Sequence, residues 1–196
     1  MTKYEKQLSY LQKPNVEDIP IKLQAEFDQH TTFQQENWRF INNLFKVLPL
    51  NALQYKGFID FKNTLFNEDT CYLSNADKKM IGLVVSSTNC CAYCLTTHSD
   101  ALRGLTKDPI LVDQLTYNYR AAKLTLKQRA LCDYAYFVTA YPQETTTKQV
   151  DLLRDAGFND FEILEASFIA GFFNFTNRWV SMIGAVPNPG NYSHNR

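Results

Sequence analysis

Asn89-Cys90-Cys91-Ala92-Tyr93-Cys94-Leu95-Thr96-Thr97-His98 holds three of the chain's five cysteines and one of its three histidines. Neither proline nor glycine interrupts Cys90 to Arg103, Gly104 follows, and Asn89 is a good N-cap residue. The pattern therefore predicts a helix that begins at or just before Cys91 and stops at Gly104. Cys91 and Cys94 then lie at i and i+3 on one face, with His98 a turn further along it. The first turn of a helix presents unpaired N–H groups and partial positive charge, which favours a thiolate over a thiol. In Cys-x-x-Cys motifs the attacking thiol falls from about 8.5 to roughly 3.5–7.5. An imidazole one turn away can give or take the proton. Together these residues supply an attacking thiolate, a resolving thiol and a proton carrier, the parts of a dithiol redox centre.

Other uses of the same residues stand beside that one. Cys-x-x-Cys is a common zinc half-site, but a structural zinc takes four ligands. On one continuous helix Cys91 and His98 are separated by roughly 10 Å of rise, too far for one ion with bonds of about 2.0–2.3 Å. The rest of the chain offers no second Cys-x-x-Cys and no histidine pair, so no metal is expected. Haem attachment needs histidine directly after the second cysteine, where this chain has Leu95. The plain alternative is a set of buried thiols with a satisfied core histidine. That is the reading given to Cys71 and Cys132, because cysteine is among the most buried residue types. Cys90, adjacent to Cys91, is turned away from the Cys91–Cys94 seam by the 100° step of a helix.

The 196 residues suffice for one domain with a proper core and no disulfide staples. Hydrophobic residues make up 45% and charged residues 20%, with formal net charge zero and no long basic run, which argues against nucleic acid or an anionic membrane as partner. Met1 to Pro14 is polar, without the apolar segment of a signal peptide, and no apolar run is long enough to span a membrane. An odd number of clustered cysteines fits a reducing cytoplasm.

Helical signals fill the rest of the chain. After a flexible leader, residues 1–16, a helix is expected from Asp18 or Ile19 with Pro20 in its first turn and Ile21, Leu23 and Phe27 inward. Trp38, Phe40, Ile41, Leu44 and Phe45 recur at helical spacing as far as Pro49. Asn51 caps a helix of Leu53, Tyr55, Phe58 and Leu65. Ser74 and Asp77 resemble a capping box ahead of the apolar run Met80 to Val85. Asp108-Pro109 opens another helix. Thr125 with Gln128 heads the run to Ala140, and Pro142 stops it. Gly157 closes the helix that starts near Thr145, and Asn159 with Glu162 heads the last one, to about Ile183. That helix is apolar on several sides, so it belongs in the core or in a subunit interface. The expected class is all-α, a compact single-domain bundle of about eight or nine helices over residues 17–186, with 187–196 as a C-terminal tail. No glycine-rich phosphate loop and no repeat is present, and no cofactor is expected.

With these helices in this order, and with Cys91-x-x-Cys94-x-x-x-His98 behind an apolar helix, the chain resembles the carboxymuconolactone decarboxylase and alkylhydroperoxidase D superfamily, in particular its peroxidase-related branch. Lys79-Met80-Ile81, Val84-Val85-Ser86, Leu153-Arg154-Asp155-Ala156-Gly157-Phe158, Phe173-Asn174 and Pro187-Asn188-Pro189 follow the pattern. The resemblance implies a thiol peroxidase site with an antioxidant role. Cys94 would attack a hydroperoxide and become a sulfenic acid, Cys91 would condense with it to a disulfide, and His98 would belong to the proton relay. It further implies a dithiol reductant, a lipoyl-protein or a thioredoxin-like one, and assembly as a homo-trimer or homo-hexamer. Lactone decarboxylation, the superfamily's other named activity, does not rely on a cysteine pair.

Two positions depart from the pattern. Where active relatives carry a relay glutamate, twelve residues before the first cysteine, this chain has Lys79. A lysine donates and cannot accept when protonated, and its cation would lower the pKa of a nearby thiol. Lys79 is thus either a tuning cation in a rerouted relay or a surface residue at a helix start. A non-catalytic or redox-sensing helical oligomer is the functional alternative that this change supports. Tyr93 stands between the cysteines where some relatives have histidine; it packs its ring or offers its hydroxyl to a peroxide.

Overall fold

The computed structural model describes residues 7–196 and contains no strand among them. It has nine helices of five residues or more: α1 (Ile21–Trp38), α2 (Asn43–Val47), α3 (Ala52–Leu65), α4 (Asn75–Thr88), α5 (Ala92–Thr106), α6 (Pro109–Asn118), α7 (Leu126–Ala140), α8 (Thr147–Asp155) and α9 (Asp160–Met182), followed by a closing turn, α10 (Gly190–Ser193).

Helix α4 is the centre of the bundle, packed against α5, α6, α7 and α9. Its apolar character all round is the reason: Met80, Ile81, Leu83, Val84 and Val85 are each exposed by 1% or less. Each such side chain contributes about 1.5–3 kcal/mol on burial. Gly82 lies in the same helix. A Cβ there would sit 2.3–2.7 Å from three ring carbons of Phe173, so the missing side chain lets α9 bring that ring onto α4. The ring, fully buried, then meets His98 edge-on at 4.8 Å.

One ion pair sits inside the bundle. Lys78, fully buried, reaches Glu165 of α9 at 2.7 Å and donates to the Leu65 carbonyl at 3.0 Å. The other oxygen of Glu165 accepts from the backbone N–H groups of Tyr72 and Leu73. Burial would raise the Glu165 pKa, but the hydrogen bonds from Lys78 and Tyr72 outweigh it and hold the carboxyl below its ordinary value.

All but one of the N-cap signals named above act as read. Asn51, Ser74, Asp108, Thr125 and Asn159 each accept from a backbone N–H in the first turn of the helix they precede. The helix ends differ in several places. Pro20 is extended and stands just outside α1, so that helix begins at Ile21, whose side chain is exposed, while Leu23 is buried. Trp38 and Phe45 belong to different helices. Arg39 takes a left-handed conformation (φ 63°), and the buried Gln34 side chain accepts from the Asn42 N–H, which fixes the break.

The chain ends are docked. The Tyr10 N–H donates to the Ile183 carbonyl, and the Val186 N–H to the Leu8 carbonyl. The Tyr10 ring covers Gly184, whose φ of 59° and lack of a Cβ the contact requires. The expected flexible leader is therefore pinned at Leu8–Tyr10; its first six residues lie outside the described ones. The expected C-terminal tail carries α10, and Arg103 of α5 donates to the Asn191 and His194 carbonyls. Gly104 consequently lies inside α5, beneath the Asn195 side chain, and does not stop the helix, which ends at Lys107 with φ 56°.

Candidate active site

Between α4 and α5 the chain turns in three residues. Cys90 takes the left-handed conformation (φ 54°) and is exposed, and Cys91 becomes the N-cap of α5. The cap is thus a thiol instead of the expected Asn89. The Cys94 N–H donates to Cys91 Sγ at 3.4 Å, the way a serine cap is used. Asn89 turns to α9 and donates to the side chains of Asn174 (3.0 Å) and Asn177 (3.1 Å), and Asn177 in turn donates to Ser86. This amide cluster ties the end of α4 to α9 beside the cysteines.

Cys91 and Cys94 are exposed by 1% and 2%. All five cysteines are free thiols; Cys132 is buried as expected, while Cys71 is only half-buried and points its S–H at the Leu65 carbonyl. The two site thiols act on each other. Hydrogen bonding from Cys94 pulls Cys91 down to about 6 against the opposing effect of burial, helped by Ser181 and the N–H groups of Cys94 and Tyr93. Interaction with Cys91, together with burial, pushes Cys94 up.

The two sulfurs differ in what they face. Cys94 lines a cavity of about 350 Å³; Cys91 does not, and packs with Leu44, Tyr93 and Val180. His98, Lys79 and Tyr93 line the same cavity, so all but one of the residues singled out from the sequence converge on it. Burial, then the nearby Lys79 charge, keeps the His98 pKa well below its ordinary value, so the imidazole is neutral. Tyr93 is buried, and its hydroxyl, near the Leu44 backbone and Thr97, makes no hydrogen bond of ordinary geometry. Lys79 is half-buried, in the wall of the cavity. Its ammonium lies over the Phe66 ring at 4.1 Å and within 5.9 Å of the Phe173 ring. Burial, with the charges of Lys62 and Lys78, brings it down to about 7. Asp77 is tied up at the start of α4 with Ser74 at 2.7 Å. Among the described residues no three His, Cys, Asp or Glu side chains are grouped to hold a metal ion.

The sequence did not single out Asn177 and Ser181, which lower the pKa values of Cys94 and Cys91 respectively from α9, or Gly82, which admits Phe173. Asn174 and Asn177 sit three apart in a phenylalanine-rich helix, and that polar interruption was the available signal. Lys62, Asn191 and His194 also line the cavity and left no local mark in the sequence.

This all-α bundle, with a thiol-capped helix packed on its central one, is the alkylhydroperoxidase D fold. An uncharacterized peroxidase-related protein from Silicibacter sp. TM1040 is 34% identical over the whole of both chains and superposes with a TM-score of 0.89. A second, described as an alkylhydroperoxidase AhpD core and uncharacterized peroxidase-related protein from Ralstonia eutropha JMP134, is 27% identical over 97% of each chain, again with a TM-score of 0.89. The debrominase Bmp8, 16% identical over 95% of this chain and 94% of its own with a TM-score of 0.75, shares the fold. No family model and no curated protein matches the chain. The chain belongs to the alkylhydroperoxidase D-like, carboxymuconolactone decarboxylase superfamily, in its peroxidase-related branch. No helix among the described residues is long and apolar enough to cross a membrane.

Proposed function

We propose that the chain is a thiol-dependent peroxidase that reduces hydroperoxides through Cys94 and Cys91, with His98 as proton carrier. One observation carries the reading: two buried thiols sit together at a helix N-terminus, Cys91 accepting the Cys94 N–H as its cap, and Cys94 forms part of the wall of a cavity. A peroxide in the cavity meets Cys94. Cys94, deprotonated by Cys91, attacks the outer peroxide oxygen. The O–O bond breaks, Cys94 becomes a sulfenic acid, and the departing alkoxide takes a proton from solvent through His98 and leaves as the alcohol. The Cys91 thiol then attacks the Cys94 sulfur, forming the disulfide and releasing water. A dithiol, lipoyl-bound or thioredoxin-like, returns the pair to the reduced state.

Lys79 cannot accept a proton as a glutamate would when it is itself protonated, so the relay runs without a carboxylate. That substitution favours a second reading, a redox-sensing helical oligomer that oxidises but does not turn over. We place assembly on α9, where Phe161, Leu164, Phe168, Phe175 and Met182 are all more than half exposed along one stripe.

Titration of the fully reduced protein with peroxide, with mass mapping of the product, separates the two. Turnover requires a Cys91–Cys94 bridge formed rapidly with one peroxide consumed per chain. Cys94→Ser should abolish consumption, and Cys91→Ser should leave a trappable sulfenic acid. Slow or scattered oxidation would leave only the sensing role.

A further inference from the structure

The charges around the cavity do not balance. Its charged and titratable lining consists of Lys62, Lys79, His98, Asp100 and His194, besides the site's own Cys94 and Tyr93. Asp100 is the only carboxylate among them, and it is already engaged: it accepts from Asn191 and Asn195 at 2.9 Å each and lies 3.2 Å from His194. Neither Lys62 nor Lys79 forms an ion pair with a described residue, although the adjacent Lys78 is paired with Glu165. An ammonium taken out of water without a counter-charge is costly, and the Phe66 ring face returns only part of that cost. Both lysines are half-buried on the cavity wall, and that burial is the main cause lowering their pKa values.

The rest of the lining is apolar and aromatic, with Phe58, Phe66, Phe172 and Phe173 among it, and 350 Å³ is far more than hydrogen peroxide needs. On the Cys94 wall two hydroxyls, those of Tyr93 and Thr97, are buried without a hydrogen-bond partner.

We infer that the cavity takes an amphipathic anion: a hydroperoxide whose apolar body lies among the phenylalanines and whose carboxylate pairs with Lys79, with Lys62 beside it, while Tyr93 and Thr97 receive the peroxide end at Cys94. The inference rests on the cavity being the substrate site of the Cys94 centre. It assigns Lys79 a positive role, as the anchor of the substrate's charge at the position where relatives keep a relay carboxylate. The carboxylate takes no part in the redox step, which consumes one hydroperoxide and two thiols and yields one alcohol, one water and the disulfide.

Binding to the Cys94→Ser protein tests it without any turnover. The probes are 4-phenylbutyrate and its neutral counterpart 4-phenylbutyramide, titrated calorimetrically at pH 7. The carboxylate should bind at least about tenfold more tightly than the amide, as a charge-assisted pair in a closed site does. Lys79→Met on the same background should erase that preference and leave amide binding in place, which also shows the cavity to be intact. Lys62→Met should reduce the preference in part. Equal or tighter binding of the amide, no binding of either probe, or a preference that survives Lys79→Met would each overturn the inference. The peroxide titration of the wild-type chain is read separately. A carboxylate preference without Cys94 oxidation would sink the peroxidase reading and leave an anion-binding site. Cys94 oxidation without the preference would do the reverse.

Discussion

Gly82→Ala is a one-carbon change that should be felt at His98. The new methyl would stand 2.3, 2.5 and 2.7 Å from three carbons of the Phe173 ring. Carbon atoms rest at about 3.5–4.0 Å, so the ring must withdraw by roughly 1 Å. Phe173 has nowhere easy to go: it is fully buried and packed edge-on against Phe66, Phe172 and His98. Overpacking of this kind costs about 1–3 kcal/mol. Alanine's better helix propensity returns about 0.5–1 kcal/mol. Contacts this short put the overpacking cost in the upper part of that range, so the net loss is about 1–2.5 kcal/mol, which in a chain of this size lowers Tm by roughly 2–10 °C. Thermal unfolding of the reduced protein measures the loss, and the rate of peroxide consumption measures the accompanying shift of His98. Phe173→Leu introduced with Gly82→Ala should recover part of the stability, because the smaller side chain makes room. A Gly82→Ala protein as stable as the parent, or one that Phe173→Leu destabilises further by the full cost of the single change, would refute the packing argument.

Three further outcomes follow from the geometry. The rate of iodoacetamide alkylation at Cys91, read by mass mapping so that exposed Cys90 is counted separately, should rise with pH through about 6 and level off in the wild type, and should titrate well above that in Cys94→Ala, because hydrogen bonding from Cys94 is the main cause of the Cys91 shift; a wild-type Cys91 midpoint near 9 would contradict that cause. Lys78→Met should destabilise the fold by about 3–5 kcal/mol in urea, since it strands a buried carboxylate, and Lys78→Met with Glu165→Leu should cost clearly less than the single change. Phe168→Glu, on the exposed stripe of α9, should lower the sedimenting mass of the protein while leaving its helical content unchanged; a wild-type chain that sediments as a monomer would remove the assembly from the proposal.

Legibility in the sequence followed the range over which each feature acts. Capping is local: Thr125 with Gln128 and Asn159 with Glu162 declare helix starts within four residues, and both form full capping boxes. The Cys91–Cys94–His98 spacing is equally local, and it brought Cys94 and His98 to one cavity. What escaped depends on distant partners. Gly104 reads as a stop until Asn195, at the far end of the chain, is placed over it. Asn89 reads as a cap until Asn174 and Asn177 are available to receive its amide. Lys79 could be a surface lysine or a cavity lysine, and only the placement of Phe66 and Phe173 decides between them.

The docked C-terminal segment has a practical consequence. Asn191, His194 and Asn195 are part of the cavity wall, held there by α5 through Arg103 and Asp100. Arg196 is clasped by Asp113 of α6 at 3.1 Å. Loss of this segment would take three residues out of the cavity wall while leaving both site cysteines in place. The volume of the enclosure around Cys94 is thus set in part by residues nearly a hundred positions away from it in the sequence.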